Sequence, residues 1–88
     1  MSPRSEAVSA AILRLTAASG PGKSIAPEEA ARAAAEALGV EWHGLLQEVR
    51  NTAVALAREG RVVILRKGKP ADPDNFKGVY RLGAPNEG

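Results

Sequence analysis

A helical stripe of apolar residues that ends at a glycine and leads at once into β-branched residues occupies the middle of the chain. Within residues 42–59 the apolar side chains recur at steps of three and four, which places them on one side of a helix: Trp42, Leu45, Leu46, Val49, Ala53 and Leu56. Gly60 stands where helices commonly end in a left-handed residue. The Val- and Ile-rich run that follows suits a pleated, partly buried strand. The pattern predicts a helix over 42–59 and a strand over 61–67.

Two shorter helices are predicted before this stretch. Ser5 is a suitable N-cap for the first, which ends before the Gly-Pro-Gly sequence at residues 20–22. A short extended segment near Ile25 follows, because the residue before Pro27 avoids helical angles. Pro27 occupies the favoured first position of the second helix. The glycine-containing turn at residues 39–41 has the length that joins the two helices of a helix-turn-helix.

The C-terminal part predicts a β-hairpin with a long connection. Turn-forming residues fill positions 67–75, and the chain returns to strand character over residues 79–82. Three helices, a short strand near Ile25 and two later strands make an α+β winged helix-turn-helix. We expect a single domain over residues 5–83, with flexible ends at 1–4 and 84–88.

Composition excludes several classes of protein. The chain of 88 residues has no cysteine, so disulfides and thiolate-bound metals are excluded. No uncharged run approaches the ~20 residues that span a bilayer. Charged and polar residues interrupt the apolar residues of the N-terminal segment, which therefore does not read as an export signal. We expect a cytoplasmic protein without membrane association.

The sequence contains fragments of motifs for catalysis and cofactor binding, but none has the structural context or the partner residues that it requires. Residues 17–24 loosely match a phosphate-binding loop, but a helix precedes them and an extended segment follows, the reverse of what that motif requires. His43 is the only histidine, so a metal site or catalytic triad lacks partners. With no convergent acid, base and nucleophile, the sequence predicts no enzyme, no cofactor, no metal and no small-molecule substrate.

The outer face of the third helix carries the pattern of a nucleic-acid site. So does the wing, which is the predicted hairpin formed by strands 61–67 and 79–82 and their connection. Arg, Asn and Gln side chains can make paired contacts to base edges in the major groove, and wing lysines can meet phosphates. Residues 43–88 hold eight basic and five acidic groups, against four and five in residues 1–42. The predicted contacts to double-stranded DNA are Gln47, Arg50, Asn51, Val54, Arg58, Lys67, Lys69 and Lys77. This hypothesis of a transcriptional regulator requires Arg50 and Arg58 to face water.

A protein-interaction module on the same scaffold, without DNA binding, is the alternative. Acidic residues lie on the third helix, at Glu48 and Glu59, and in the wing, at Asp72 and Asp74. The second helix is rich in alanine, which lets another helix approach closely. A protein partner or a homodimer would follow. The sequence leaves open whether Phe76 and Tyr80 are exposed or fold back on the sheet.

Residues 24–31 (S-I-A-P-E-E-A-A) and the R-K-G-K-P sequence at 66–70, which D-P-D follows at 72–74, resemble segments of a small bacterial winged-helix family that is catalogued only as a domain of unknown function. The similarity covers about residues 6–84. It is strongest in the wing, with R-K-G-K-P at 66–70, D-P-D at 72–74 and residues 77–82, and it includes residues 24–31. The resemblance implies a winged-helix fold and a standalone cytoplasmic bacterial protein. It implies no activity, ligand or catalytic residue.

Overall fold

The computed structural model describes residues 2–20 and 22–85, and in them three helices lie against a small antiparallel sheet. This confirms the predicted α+β, winged-helix-like fold. The helices are α1 (Pro3–Ser19), α2 (Pro27–Leu38) and α3 (Leu46–Arg58), and the strands are β1 (Ser24–Ile25), β2 (Val63–Arg66), β3 (Lys69–Pro70) and β4 (Arg81–Gly83).

The sheet has the strand order β1-β4-β2-β3, with every neighbouring pair antiparallel. Leu82 in β4 pairs with Ile25 on one side and with Ile64 on the other. These three side chains are buried and meet the apolar faces of the helices, where Ile12 and Val49 are fully enclosed. The core therefore lies between one face of the sheet and the three-helix layer, and it fixes where α3 sits relative to the wing.

The first helix begins earlier than predicted. Ser2, and not Ser5, is its N-cap: the Ser2 hydroxyl accepts a hydrogen bond from the Ser5 amide, and Pro3 takes the first helical position. The expected flexible ends at 1–4 and 84–88 fall partly on Met1 and residues 86–88, which lie outside the described residues. The α1–β1 order around residues 17–24 agrees with a plain helix-to-strand loop.

The third helix differs from its prediction at the N-terminal end. His43–Leu45 form a 3₁₀ turn, and the α-helix itself spans Leu46–Arg58. A 3₁₀ turn has about 3.0 residues per turn, which shifts the phase of the apolar stripe. Leu45 is consequently buried, whereas Leu46 is 37% exposed, so its assignment to the inner stripe was wrong.

The end of α3 follows the predicted glycine stop. Gly60 has φ +74°, its amide donates to Ala57 O, and the Arg61 amide donates to Leu56 O at 2.9 Å. This paired closure is a Schellman motif. Because Arg61 completes the helix end, β2 begins at Val63, later than the predicted residue 61.

The wing contains a strand that the sequence did not predict. Lys67 and Gly68 form a two-residue turn in which both have positive φ, the geometry that matches the twist of a hairpin. The turn pairs Leu65 with Pro70, which creates β3. Residues 71–80, here named the wing loop, then lead to β4, which starts at Arg81 and replaces the predicted strand at 79–82.

Candidate nucleic-acid interface

The outer face of α3 exposes two amide side chains. Gln47 and Asn51 lie one helical turn apart, and Gln47 Nε2 donates to Asn51 Oδ1 at 3.0 Å. This hydrogen bond holds both groups in a defined orientation on the helix surface. Their remaining donors and acceptors point to solvent and are free for a ligand. Val54, on the same predicted face, is half-buried and packs against the core.

Arg50 lies under the wing loop, contrary to the expectation that it faces water. Its Nη2 donates to the carbonyl oxygen of Phe76 at 2.8 Å. The guanidinium carbon is 4.0 Å from the ring centroid of Phe76 and 5.8 Å from that of Tyr80. A cation over aromatic faces is attracted by their quadrupoles, and the carbonyl contact adds a charge-assisted hydrogen bond. The wing loop therefore holds this arginine, and the arginine holds the loop.

Phe76 and Tyr80 fold back onto the domain, which answers the question that the sequence left open. They are 6% and 8% exposed and meet edge-to-face, with their centroids 5.2 Å apart. Burial raises the pKa of the Tyr80 hydroxyl above its ordinary value, and the nearby positive charge of Arg50 opposes that rise. The two rings form the inner side of the wing loop.

Arg66 holds the loop from its other side. Its Nε donates to Val79 O at 3.1 Å, while Gly78, with φ +82°, lies directly beside the guanidinium. A Cβ atom at position 78 would lie 3.1 Å from Arg66 Nη2, the flexible end of that side chain, so it is mainly the positive φ that favours glycine here. Arg50 and Arg66 thus each donate a hydrogen bond to a carbonyl oxygen of the wing loop. This role of Arg66 could not be predicted from the sequence, because its partner is a backbone atom.

Arg58 makes a weaker link to the same loop. Its guanidinium pairs with Asp74, with Nε at 2.8 Å from Oδ1, and Asp74 is itself positioned by an amide contact to Asp72 Oδ1. Both partners remain mostly exposed. Arg58 does face solvent as expected, but a carboxylate of the wing already neutralises it. An exposed ion pair of this kind contributes little to stability.

The three wing lysines are all exposed. Lys67 occupies the tight turn, Lys69 lies in the edge strand β3, and Lys77 lies on the wing loop. No carboxylate lies within ion-pairing distance of any of them among the described residues. The structure thus leaves five of the eight predicted contacts accessible and unneutralised: Gln47, Asn51, Lys67, Lys69 and Lys77. Contact with DNA itself stays a prediction.

The aromatic and histidine residues at the start of α3 form a separate surface cluster. Trp42 is half-buried; its ring stacks on His43 with centroids 3.7 Å apart, and the Arg32 guanidinium lies 4.3 Å above it. His43 is exposed and hydrogen-bonds the Glu41 carboxylate, which lowers the pKa of Glu41. Trp42 is thus only partly the core residue that its place on the stripe predicted.

Neither a metal-binding cluster nor a membrane-spanning helix is found in residues 2–20 and 22–85. No group of three or more His, Cys, Asp or Glu side chains there has the arrangement to hold a metal ion. None of the helices in this part of the chain combines the length and the apolar character needed to cross a bilayer.

Replacing Arg50 with alanine should destabilise the fold far more than replacing Arg58 with alanine. Arg50→Ala removes a part-buried hydrogen bond to Phe76 O and the cation–aromatic contact, together about 2–3 kcal/mol of unfolding free energy. Arg58→Ala breaks only an exposed pair, at about 1 kcal/mol or less. Urea denaturation of both variants measures the difference. Equal losses would contradict the description of Arg50 as the residue that holds the loop.

Tyr80 should make the protein less stable at alkaline pH. Its folded-state pKa lies above the ordinary value near 10.0, so above that pH the unfolded chain binds fewer protons than the folded one, and stability falls as pH rises. Since Tyr80 is the only tyrosine, tyrosinate absorbance of the native protein reports its titration directly.

The matched control for this titration is Tyr80→Phe, which keeps the buried ring and removes the ionisable hydroxyl. Its unfolding free energy should fall less steeply above pH ~10 than that of the unmodified protein. An identical pH dependence of the two proteins would contradict the raised pKa.

Comparison with known proteins identifies a family and no activity. No curated protein matches the chain. A family model described as "Protein of unknown function (DUF3253)" matches residues 5–85, which is nearly the whole chain and all of the fold described above except the first residues of α1. The chain belongs to the DUF3253 family of proteins of unknown function.

Proposed function

We propose that this protein binds double-stranded DNA in the bacterial cytoplasm, in the manner of a transcriptional regulator. In this proposal α3 enters the major groove and the wing lies along the phosphates, as in other helix-turn-helix domains. The proposal includes no catalytic step and no cofactor. It is supported by side-chain accessibility and charge, in the following way.

The supporting observation is that the wing lysines are exposed and have no carboxylate partners among the described residues. Lys67 lies in the turn at the tip of the β2–β3 hairpin, Lys69 follows that turn, and Lys77 lies exposed on the wing loop. Neutralising phosphates releases condensed counterions, which is the main source of sequence-independent affinity for DNA. Three unpaired cations on one structural unit supply such contacts.

Base reading is assigned to Gln47 and Asn51. Either amide can contact the N6 and N7 positions of adenine in a paired fashion, and both lie on the exposed face of α3. Arg50 and Arg58 act differently from the original hypothesis. Arg50 holds the wing loop, and thereby Lys77, in place, and Arg58 pairs with Asp74, so neither is assigned to bases. A protein with only two base-reading side chains per copy is expected to bind DNA with modest sequence selectivity.

Removing the three wing lysines should weaken DNA binding and reduce its salt dependence. In Lys67→Ala/Lys69→Ala/Lys77→Ala, the slope of log affinity against log salt should decrease in magnitude by about 2.7 if each lysine neutralises one phosphate. Fluorescence anisotropy with a labelled random-sequence duplex, at several salt concentrations, measures affinity and slope together.

The matched control is Arg4→Ala/Arg14→Ala/Lys23→Ala, which removes the same charge from α1 and from the residue before β1. Lys23 precedes β1, the sheet edge opposite β3, and Arg4 and Arg14 lie on α1, which contributes none of the predicted DNA contacts. The control should keep most of the affinity and its salt slope. Absence of binding by the unmodified protein at low salt, or equal losses in the two triple variants, would refute the proposal.

A further inference from the structure

An open cleft lies between the first turn of α3, the end of the wing loop and the start of α2. Its volume is about 480 Å³, within the range of ligand and side-chain binding sites. Its walls are mainly apolar, and the residues that line it include Pro27, Leu46, Gln47, Arg50, Val79 and Tyr80.

Two of the cleft residues are apolar side chains that the described chain leaves uncovered. Val79 is 84% exposed and Leu46 is 37% exposed. Their exposure is notable because few large apolar residues form the core of this chain. Local structure explains the position of Leu46, since the 3₁₀ turn rotates it outward. It does not explain the presence of a large apolar residue at position 79. Adjacent exposed apolar side chains around a concave surface are typical of a protein-binding site.

The cleft also contains a cation with unused hydrogen-bonding capacity. A guanidinium has five N–H donors, and within the described residues Arg50 uses one of them, on Phe76 O. No carboxylate pairs with Arg50 in that part of the chain. Its half-buried position strengthens any contact with an anion, because water screens the interaction less there.

The charges near the cleft are predominantly basic on the wing side. Lys77 precedes the glycine that lines the cleft, and the Arg66 guanidinium lies against that glycine. On the α2 side, Glu28 pairs with Arg32 at 3.7 Å, and Glu29 accepts a hydrogen bond from the Ala26 amide at 2.7 Å. These two carboxylates are engaged within α2 and leave the positive charge of Arg50 uncompensated.

We propose that the cleft docks a short acidic segment of a partner protein. The segment inserts one bulky apolar side chain between Leu46 and Val79 and places a neighbouring carboxylate on the free donors of Arg50. Charge complementarity selects an acidic partner, and the apolar walls select one with a hydrophobic residue beside the acid. Duplex DNA fits the cleft less well, because its backbone offers anions without an apolar group to cover Leu46 and Val79.

The direct test is selection of peptides from a random dodecamer library displayed on phage, using the full chain as target. The enriched peptides should share one large apolar residue flanked by aspartate or glutamate. They are then synthesised with a fluorescent label, and their affinity is measured by anisotropy. Changing their acidic residues to the corresponding amides should weaken binding about tenfold or more, as expected for loss of a contact to a charged partner.

Variants of the cleft locate the binding site. Val79→Ser and Leu46→Ser should each weaken peptide binding about tenfold or more, since each removes an apolar wall. Val40→Ser is the matched control, because Val40 is 43% exposed and does not line the cleft, and it should leave the affinity unchanged. Substitutions at exposed positions such as Val79 usually change stability little. Leu46 is partly covered, so the circular dichroism spectrum of Leu46→Ser is compared with that of the unmodified protein before the affinities are.

Three results would overturn this proposal. The selection could yield no enriched sequence, the enriched peptides could lack the acidic and apolar pattern, or they could bind the Val79→Ser and Leu46→Ser variants as tightly as the unmodified protein. If those two variants instead lose affinity for duplex DNA while no peptide is enriched, the cleft is part of the DNA surface. The wing-lysine test is independent of these residues, so the two proposals can fail separately.

Discussion

The contact between Arg50 and the wing loop is the interaction on which the rest of the surface depends. The chain has one Trp, one Tyr and one Phe, and two of these three rings lie against this guanidinium. The wing loop has ten residues and follows the short β2–β3 hairpin, so little regular structure holds it in place. The aromatic pair gives the loop a buried side, and the hydrogen bond to Phe76 O ties its backbone to α3. Arg66 fixes the opposite side through Val79 O.

This arrangement gives different roles to polar residues that the sequence alone does not distinguish. Arg50 already donates a hydrogen bond to the wing loop, and Arg58 is neutralised by Asp74, so neither is a free group for reading bases. The amides of α3 and the lysines of the wing remain available, and the loop's fixed path also creates an apolar cleft beside them. Membership of the DUF3253 family supplies no activity, so both proposals stand on this division of groups.

Local patterns in the sequence predicted most of the scaffold and little of the site. The buried positions Val49 and Leu56, the start of α2 at Pro27 and the stop at Gly60 all follow from spacing within a few residues. The position of Arg50 does not, because its partner Phe76 lies 26 residues further along the chain. Helical periodicity identifies a residue that points away from the core, but it carries no information about a later loop that covers it. The turn residues at 67–75 indicated that the chain changes direction there, but they did not predict the path that the chain takes.

A double-mutant cycle between Arg50 and Phe76 tests this account most directly. Unfolding free energies are measured by urea denaturation for Arg50→Met, for Phe76→Leu and for the double variant. Met is similar to Arg in length and Leu is an apolar replacement for Phe. The cycle therefore isolates the coupling between the guanidinium and the aromatic ring. The account predicts a favourable coupling of about 0.5–2 kcal/mol. Additive effects would show that the Phe76 ring does not stabilise the guanidinium in solution. Because Phe76→Leu keeps the backbone oxygen that accepts from Arg50, an Arg50→Met variant as stable as the unmodified protein would show that the arginine does not hold the wing loop.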